Sequence, residues 1–261
     1  MSLRANNYYK APSVEEAYKM LQANPKNAIV AGGLWIKKTG LSYDTLIDLS
    51  ECGLDKITED KDNIYVGAMV TLREFETSPI INKLFNGATA FAVREVMGPA
   101  FRNMATIGGS IFGRYPFSDV IASLLPLDVE LRFFPAQKMT LEEYLNYRGK
   151  LNAILVEIKI KKELGKAYYK KVKANALDFP MINFSIVKRN DKHYIAVGSR
   201  PMVAALAYKA MEAADNGVPY DEVAEIAVNE LQFLDSSNIS KEYRQDLARV
   251  YIRRGLEEVN K

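Results

Sequence analysis

Residues 98–119, Gly-Pro-Ala-Phe-Arg-Asn-Met-Ala-Thr-Ile-Gly-Gly-Ser-Ile-Phe-Gly-Arg-Tyr-Pro-Phe-Ser-Asp, are the most informative stretch of this 261-residue chain. The pair Gly108–Gly109 has an earlier counterpart, Gly32–Gly33, directly after the apolar run Ala28-Ile29-Val30-Ala31. Glycine lets the backbone reach positive φ and lets a ligand lie against the main chain with no Cβ between. Successive amides in such a turn form a concave anion site. Two such turns predict two stretches of bare backbone closing on one elongated ligand with a diphosphate at its middle. A single Gly-Gly pair reads as a tight turn and nothing more, so the flanking residues decide.

Composition narrows the chemistry. The 35 basic and 32 acidic residues are too balanced to demand a nucleic acid or an acidic membrane as partner. The arginines of the last helix are interleaved with acids, which reads as a solvated or subunit-facing surface. No apolar run approaches the roughly 20 residues a membrane helix needs. Met1 to Asn7 lacks a signal-type apolar core, so a cytoplasmic protein is expected. Cys52 is the only cysteine and His193 the only histidine. An internal disulfide, a thiolate zinc site or an iron–sulfur cluster held within this sequence is thereby excluded. Cys52 reads as a packing or surface thiol and His193 as an exposed residue of a hairpin turn. A chain so short of reactive side chains either binds without reacting or takes its chemistry from a cofactor.

Hydrophobic patterning predicts an α+β fold in three parts. Ser13 and Glu16 suggest a capping box that starts a helix ending near Asn24-Pro25. Residues 28–31 and 45–49 read as strands, giving a small β-α-β unit over 1–55. Residues 56–163 mix strands at 64–68, 129–133 and 154–160 with helices near 71–75, 82–96, 118–125 and from 140. The lysine-rich link 161–166 precedes a third part, 164–261. It has a strand at 167–173, a hairpin at 184–198 and helices near 201–214, 219–234 and 240–257.

The motifs together resemble the FAD-binding (medium) subunit of the molybdenum hydroxylases, the group of xanthine dehydrogenase and carbon monoxide dehydrogenase. The resemblance spans essentially the whole chain. It rests on Tyr9-x-x-Pro12-x-x-x-Glu16-Ala17, Ala31-Gly32-Gly33, Leu46-Ile47-Asp48-Leu49-Ser50, Arg102-Asn103-x-Ala105-Thr106-Ile107-Gly108-Gly109, Ser118-Asp119, Tyr168-x-Lys170 and Tyr243-Arg244-x-x-Leu247. It implies a two-subdomain flavin-binding fold with a C-terminal sheet-plus-helices domain. It also implies that the backbone of Ala31, Gly32, Gly33, Leu34 and Trp35 cradles the FAD diphosphate. Ala105, Thr106, Gly108, Gly109 and Ser110 would close from the other side. Asp119 would hold polar groups of the ribityl and ring region, and Lys170 would lie near the pyrimidine edge, with Lys171 the alternative if the register differs by one. Arg102 would brace its loop.

The family commonly continues Gly-Gly-Thr-Asp and Gly-Gly-Asn, whereas this chain has Leu34-Trp35 and Ser110. Trp35 would either stack on the cofactor or belong to the core. Arg114 would pair with phosphate, or Tyr115 would cover the ring. An arginine usual four residues after Lys170 is Ala174 here. The implied function is electron transfer from a partner iron–sulfur subunit, serving a molybdopterin subunit, through FAD to NAD or another acceptor. The alternative is a flavin-free scaffold that keeps the fold. Substrate choice would lie on the molybdenum subunit.

Overall fold

The computed structural model describes residues 3–149, 151–237 and 239–261. The chain opens with β1 (Arg4–Lys10), α1 (Val14–Ala23), β2 (Ala28–Val30) and β3 (Ser42–Asp48). These strands form a parallel sheet in the order β1-β3-β2. Three parallel strands need two crossovers, and α1 supplies the first, from edge strand β1 to edge strand β2 across β3. Ser13 caps α1 by accepting from the Glu16 amide at 3.2 Å. The Glu16 carboxylate does not complete a capping box; it takes Lys19 at 2.7 Å instead. The exposed strand β1 was not evident from the sequence, because Arg4–Lys10 lacks a continuous apolar face.

The middle of the chain runs β4 (Ile57–Glu59), β5 (Asn63–Gly67), α2 (Leu72–Thr77), α3 (Pro79–Lys83), α4 (Ala88–Arg94), α5 (Pro99–Arg102), α6 (Ile107–Phe112) and α7 (Asp119–Leu124). It continues with β6 (Val129–Phe134), β7 (Gln137–Thr140), α8 (Leu141–Asn146) and β8 (Ile154–Lys161). The sheet is antiparallel, ordered β4-β5-β8-β6-β7. Full capping boxes start α2, from Thr71 and Glu74, and α8, from Thr140 and Glu143. The helix expected over 82–96 is broken. Phe85, Asn86 and Gly87 take positive φ, and the Asn86 side chain accepts from the Ala167 amide at 3.0 Å. That tertiary bond and the burial of Phe85 outweigh the helical spacing.

The last third contains β9 (Gly165–Val172), β10 (Ile182–Arg189), β11 (Lys192–Gly198), β12 (Ala205–Leu206), α9 (Tyr208–Asp215), α10 (Tyr220–Glu230) and α11 (Lys241–Val259). Its antiparallel sheet is ordered β12-β11-β10-β9. The helix expected from 201 begins only at Tyr208, because the buried Arg200 holds an extended segment. Its guanidinium donates to the carbonyls of Val197, Val203 and Gln232. Both faces of this sheet are covered. Ile182, Phe184 and Ile186 pack with α9 to α11, while Val187 and Ala196 join the core of the middle unit. His193 is buried rather than exposed. Its Nδ1 lies 2.9 Å from Asp215 Oδ1 and its Nε2 faces the Asn260 amide at 3.0 Å.

Candidate functional site

The two glycine segments touch through their backbones. A Cβ on Gly32 would stand 1.8 Å from the Met104 carbonyl oxygen and 3.3 Å from the Ala105 Cα. Position 32 therefore admits no side chain. Gly33 follows at φ +69°, in the left-handed region that favours glycine. The chain then passes through Leu34 and Trp35 into a single 3₁₀ turn at Ile36–Lys38. Among the described residues, the amides of Gly32, Gly33, Leu34 and Trp35 donate to no protein group. All four residues are half-buried. Consecutive unsatisfied amides on a bent backbone are what an anion needs.

The second segment is built differently from its sequence expectation. It is the start of α6 and not an open loop. Thr106 caps that helix, accepting from the Gly109 amide at 3.0 Å. Leu72 donates to the Ala105 carbonyl at 2.8 Å and Ile107 to the Val70 carbonyl at 2.9 Å, stitching the run to the start of α2. The Ala105, Gly108 and Ser110 amides donate to Phe101, Ala68 and Thr106 carbonyls. The donors expected of Ala105, Gly108, Gly109 and Ser110 are thus already satisfied inside the protein. This segment forms a wall: of its amides from Ala105 to Ser110 only that of Thr106 has no protein acceptor among the described residues, whereas the first turn keeps four in a row. The Ser110 hydroxyl likewise turns back to the Thr106 carbonyl at 2.8 Å.

Asp119 opens α7 and is buried. Its Oδ1 accepts from the Tyr169 hydroxyl and from Asn183 Nδ2 at 3.0 Å, and its Oδ2 accepts from Lys171 Nζ at 2.9 Å. Lys171 is as buried as its partner and also donates to the Ala92 carbonyl. Burial pushes the Lys171 ammonium down while Asp119 pulls it up. Burial and the adjacent carboxylate hold the Tyr169 hydroxyl protonated well above the usual tyrosine range. Lys170 does not reach this cluster. Successive side chains on a strand alternate faces, and Lys170 projects toward α11 with its ammonium 5.5 Å from the Tyr251 ring. Of the two lysines, Lys171 is the one that faces Asp119, and Lys170 lies on the opposite face of the strand. Strand alternation across Ala167, Tyr169 and Lys171 was the signal available in the sequence.

Two arginines set the walls. Arg102 does brace its loop. Its Nε pairs with the buried Glu76 at 2.9 Å, and Nη1 reaches the Val96 and Met97 carbonyls. Arg114 turns away from any phosphate position, donating to the Tyr144 and Tyr147 carbonyls and lying over the Tyr144 ring. Arg114 itself has φ +46°, a strained value for a side-chain-bearing residue. Tyr115 follows it and meets Trp35 with ring centroids 4.9 Å apart. Phe117 and Phe179, which sequence reasoning missed, join them. These rings line an open pocket together with Leu72, Met97, Phe101, Ser110 and Asp119. Cys52 is remote in role. Its thiol donates to the Ala11 carbonyl, and burial pushes its pKa up, so it packs as an unreactive thiol.

Residues 3–160 match the family described as the FAD binding domain in molybdopterin dehydrogenase. The chain belongs to that family, whose cofactor is FAD. In sequence it is 31% identical over 145 residues to the uncharacterised protein YgfM of Escherichia coli K12, covering 53% of each chain. It is 33% identical over 116 residues to the nicotine 6-hydroxylase medium subunit of Paenarthrobacter nicotinovorans, covering 42% of this chain and 41% of that one. The matched segment thus spans about half the length of these relatives. In structure the likeness runs end to end. A chain of carbon monoxide dehydrogenase from Hydrogenophaga pseudoflava superposes with TM-score 0.88 at 21% identity, covering 99% of this chain and 98% of that one. A chain of quinoline 2-oxidoreductase from Pseudomonas putida 86 gives 0.87 at 20% identity with the same coverage. These structural likenesses establish the fold.

The geometry predicts distinct stability losses. Gly32→Ala is expected to lose about 1–3 kcal/mol in urea unfolding, because the new Cβ must displace backbone. Gly33→Ala, whose Cβ would meet only Val30 Cγ2 at 3.8 Å, loses only the left-handed penalty of about 1 kcal/mol. Lys171→Met leaves Asp119 buried without its cation and is expected to lose about 3–5 kcal/mol. Lys170→Met should stay within about 1 kcal/mol of the parent in the same assay.

Proposed function

We propose that this chain is the FAD-carrying electron-transfer subunit of a molybdenum-dependent hydroxylase or dehydrogenase. It would work between the iron–sulfur clusters of one partner subunit and NAD or another acceptor, with a molybdopterin subunit performing the substrate chemistry. The observation that carries this reading is the row of free amides at Gly32–Trp35, held against the Ala105–Ser110 wall. The first turn fits a diphosphate through its backbone, so the replacement of Thr-Asp by Leu34-Trp35 leaves that capacity intact. Ala31 would complete the same turn. Ala105, Thr106, Gly108, Gly109 and Ser110 would bound the groove, and Asp119 with Lys171 would set its charge at the far end. FAD, when bound, supplies the exchange between two-electron and one-electron carriers.

The need for partners rests on what these residues can ligate. Among the described residues no group of three His, Cys, Asp or Glu side chains is arranged to hold a metal ion. No helix among them is long and apolar enough to cross a membrane. Cytoplasmic assembly with the two partner subunits is part of the same proposal, as is a division into units 1–55, 56–163 and 164–261. The three separate sheets support that division. One observation favours the flavin-free scaffold instead: Trp35, Tyr115, Phe117 and Phe179 already pack on one another.

Titration of the purified chain with FAD decides between the two. The flavin-subunit reading expects one FAD per chain, displaced by ADP. Riboflavin lacks the diphosphate and forgoes at least two charge-assisted hydrogen bonds, so it should bind at least about a hundredfold more weakly. A chain that takes up no FAD, measured by flavin fluorescence and absorbance, is the scaffold.

A further inference from the structure

Trp35, Tyr115, Phe117 and Phe179 come from three separate segments and meet in one stack. Tyr115 and Phe117 are stacked at 5.3 Å and 16°. Phe117 and Phe179 are 4.3 Å apart, and Trp35 touches all three within 5.7 Å. None of the four belongs to the buried clusters that form the cores of the protein. The stack sits beside the free amides of Gly32–Trp35 and lines one open pocket together with Ser110 and Asp119. Aromatic faces gathered outside a core suit one kind of ligand, another planar π system. Here they already satisfy one another.

The rings are not equally fixed. Tyr115 is held by the Arg114 turn, whose guanidinium grips two carbonyls and the Tyr144 ring. Phe117 lies between Pro116, whose carbonyl accepts from the Ser199 amide at 3.0 Å, and Ser118, which caps α7. Phe179 is carried on residues 173–181, the link between β9 and β10. The ties of this link are mostly its own. Asn175 donates through its amide and side chain to Asp178, and Lys173 reaches the Ala176 carbonyl at 2.7 Å. Its base is clamped where Met181 donates to the Val172 carbonyl. Across the groove its polar ties are the longer contacts of Lys173 with Glu95. Phe179 is also 41% exposed, so lifting it gives up little burial.

We propose that Phe179 occupies the seat of the cofactor's planar ring in the flavin-free chain, and that the 173–181 link lifts to admit the ring against Trp35, Tyr115 and Phe117. Phe179 then competes with the ligand from within the molecule. Apparent affinity is lowered by the fraction of chains in which the seat is open. This inference rests on the FAD reading above and adds the residue that sets how tightly FAD is held.

The test compares the full chain with its Phe179→Ala variant. Trp35 is the sole tryptophan, so its emission reports the stack directly. Without ligand, Phe179→Ala is expected to shift Trp35 emission to the red; an unchanged spectrum overturns the packing on which the inference stands. With FAD, the variant is expected to bind roughly tenfold tighter than the parent, as removal of a competitor that fills about nine seats in ten requires. Phe179→Leu, which keeps an apolar but smaller plug, should fall between. FAD binding by the parent that is equal or weaker in Phe179→Ala makes Phe179 an ordinary wall residue and overturns the inference alone. No FAD binding by either chain overturns the flavin reading and this inference together.

Discussion

The site depends on one contact, the Gly32 backbone against the Met104 carbonyl. It joins the turn after β2 to the segment leading into α6, and there is no room between them for a methyl group. Because main chain meets main chain, the relative position of the two bends does not depend on side-chain rotamers. The same contact directs the next residues of the turn. Leu34 drops onto the core of the middle unit, and Trp35 is carried out to the aromatic stack. The amides between them are left facing no protein acceptor. A loop placed by side-chain packing would hold such amides less rigidly, and preorganised donors are the effective ones.

The second constraint is electrostatic and crosses the chain at depth. Asp119 stands at the first turn of α7, where the helix end favours an acid. Lys171 and Asn183, directly opposite each other on β9 and β10, both point at it. Withdrawing both charges from water carries a large penalty, which the pair offsets only through its extra hydrogen bonds. Tyr169 and Asn183 provide these. Asn183 gives its amide protons to Asp119 and leaves its own Oδ1 without a partner. The cluster therefore serves geometry more than stability: it fixes the α7 end of the groove to the sheet that carries the 173–181 link.

Much of this was legible in the sequence because it depends on local rules. The glycine pairs, the strands within 28–31, 129–133 and 154–160 and the α+β class all follow from spacing and residue type. What escaped depends on distant partners. The satisfied amides of Ile107 and Gly108 are not visible without residues 68–72, whose Val70 and Ala68 carbonyls accept from them. The break at Phe85–Gly87 is sealed by Ala167, some eighty residues away. Arg114 looked suited to phosphate because a guanidinium pairs readily with one, yet the acceptors that claim it lie in and just after α8. Which of Lys170 and Lys171 faces Asp119 was decidable by strand alternation once Tyr168 and Val172 are placed on the helix-covered face.

The departures from the family pattern have a common location. Leu34, Trp35 and Ser110 replace residues whose side chains would have offered a hydroxyl, a carboxylate and an amide. The structure does not restore those groups. Leu34 joins the core, Ser110 bonds its own helix and Trp35 enters the ring stack. The backbone donors of the first turn are untouched by any of these changes. The backbone donors and the ring stack are thus separable in this molecule, because one uses amides and the other uses side chains. A chain that needed neither end would have no reason to keep glycine at position 32 in an otherwise altered motif, except for the packing on Met104. That packing alone requires a glycine, but it does not require four adjoining amides to be left without acceptors. Among the described residues the amides of Gly32 to Trp35 face no protein acceptor, and a bent run of such donors has the form that suits an anion.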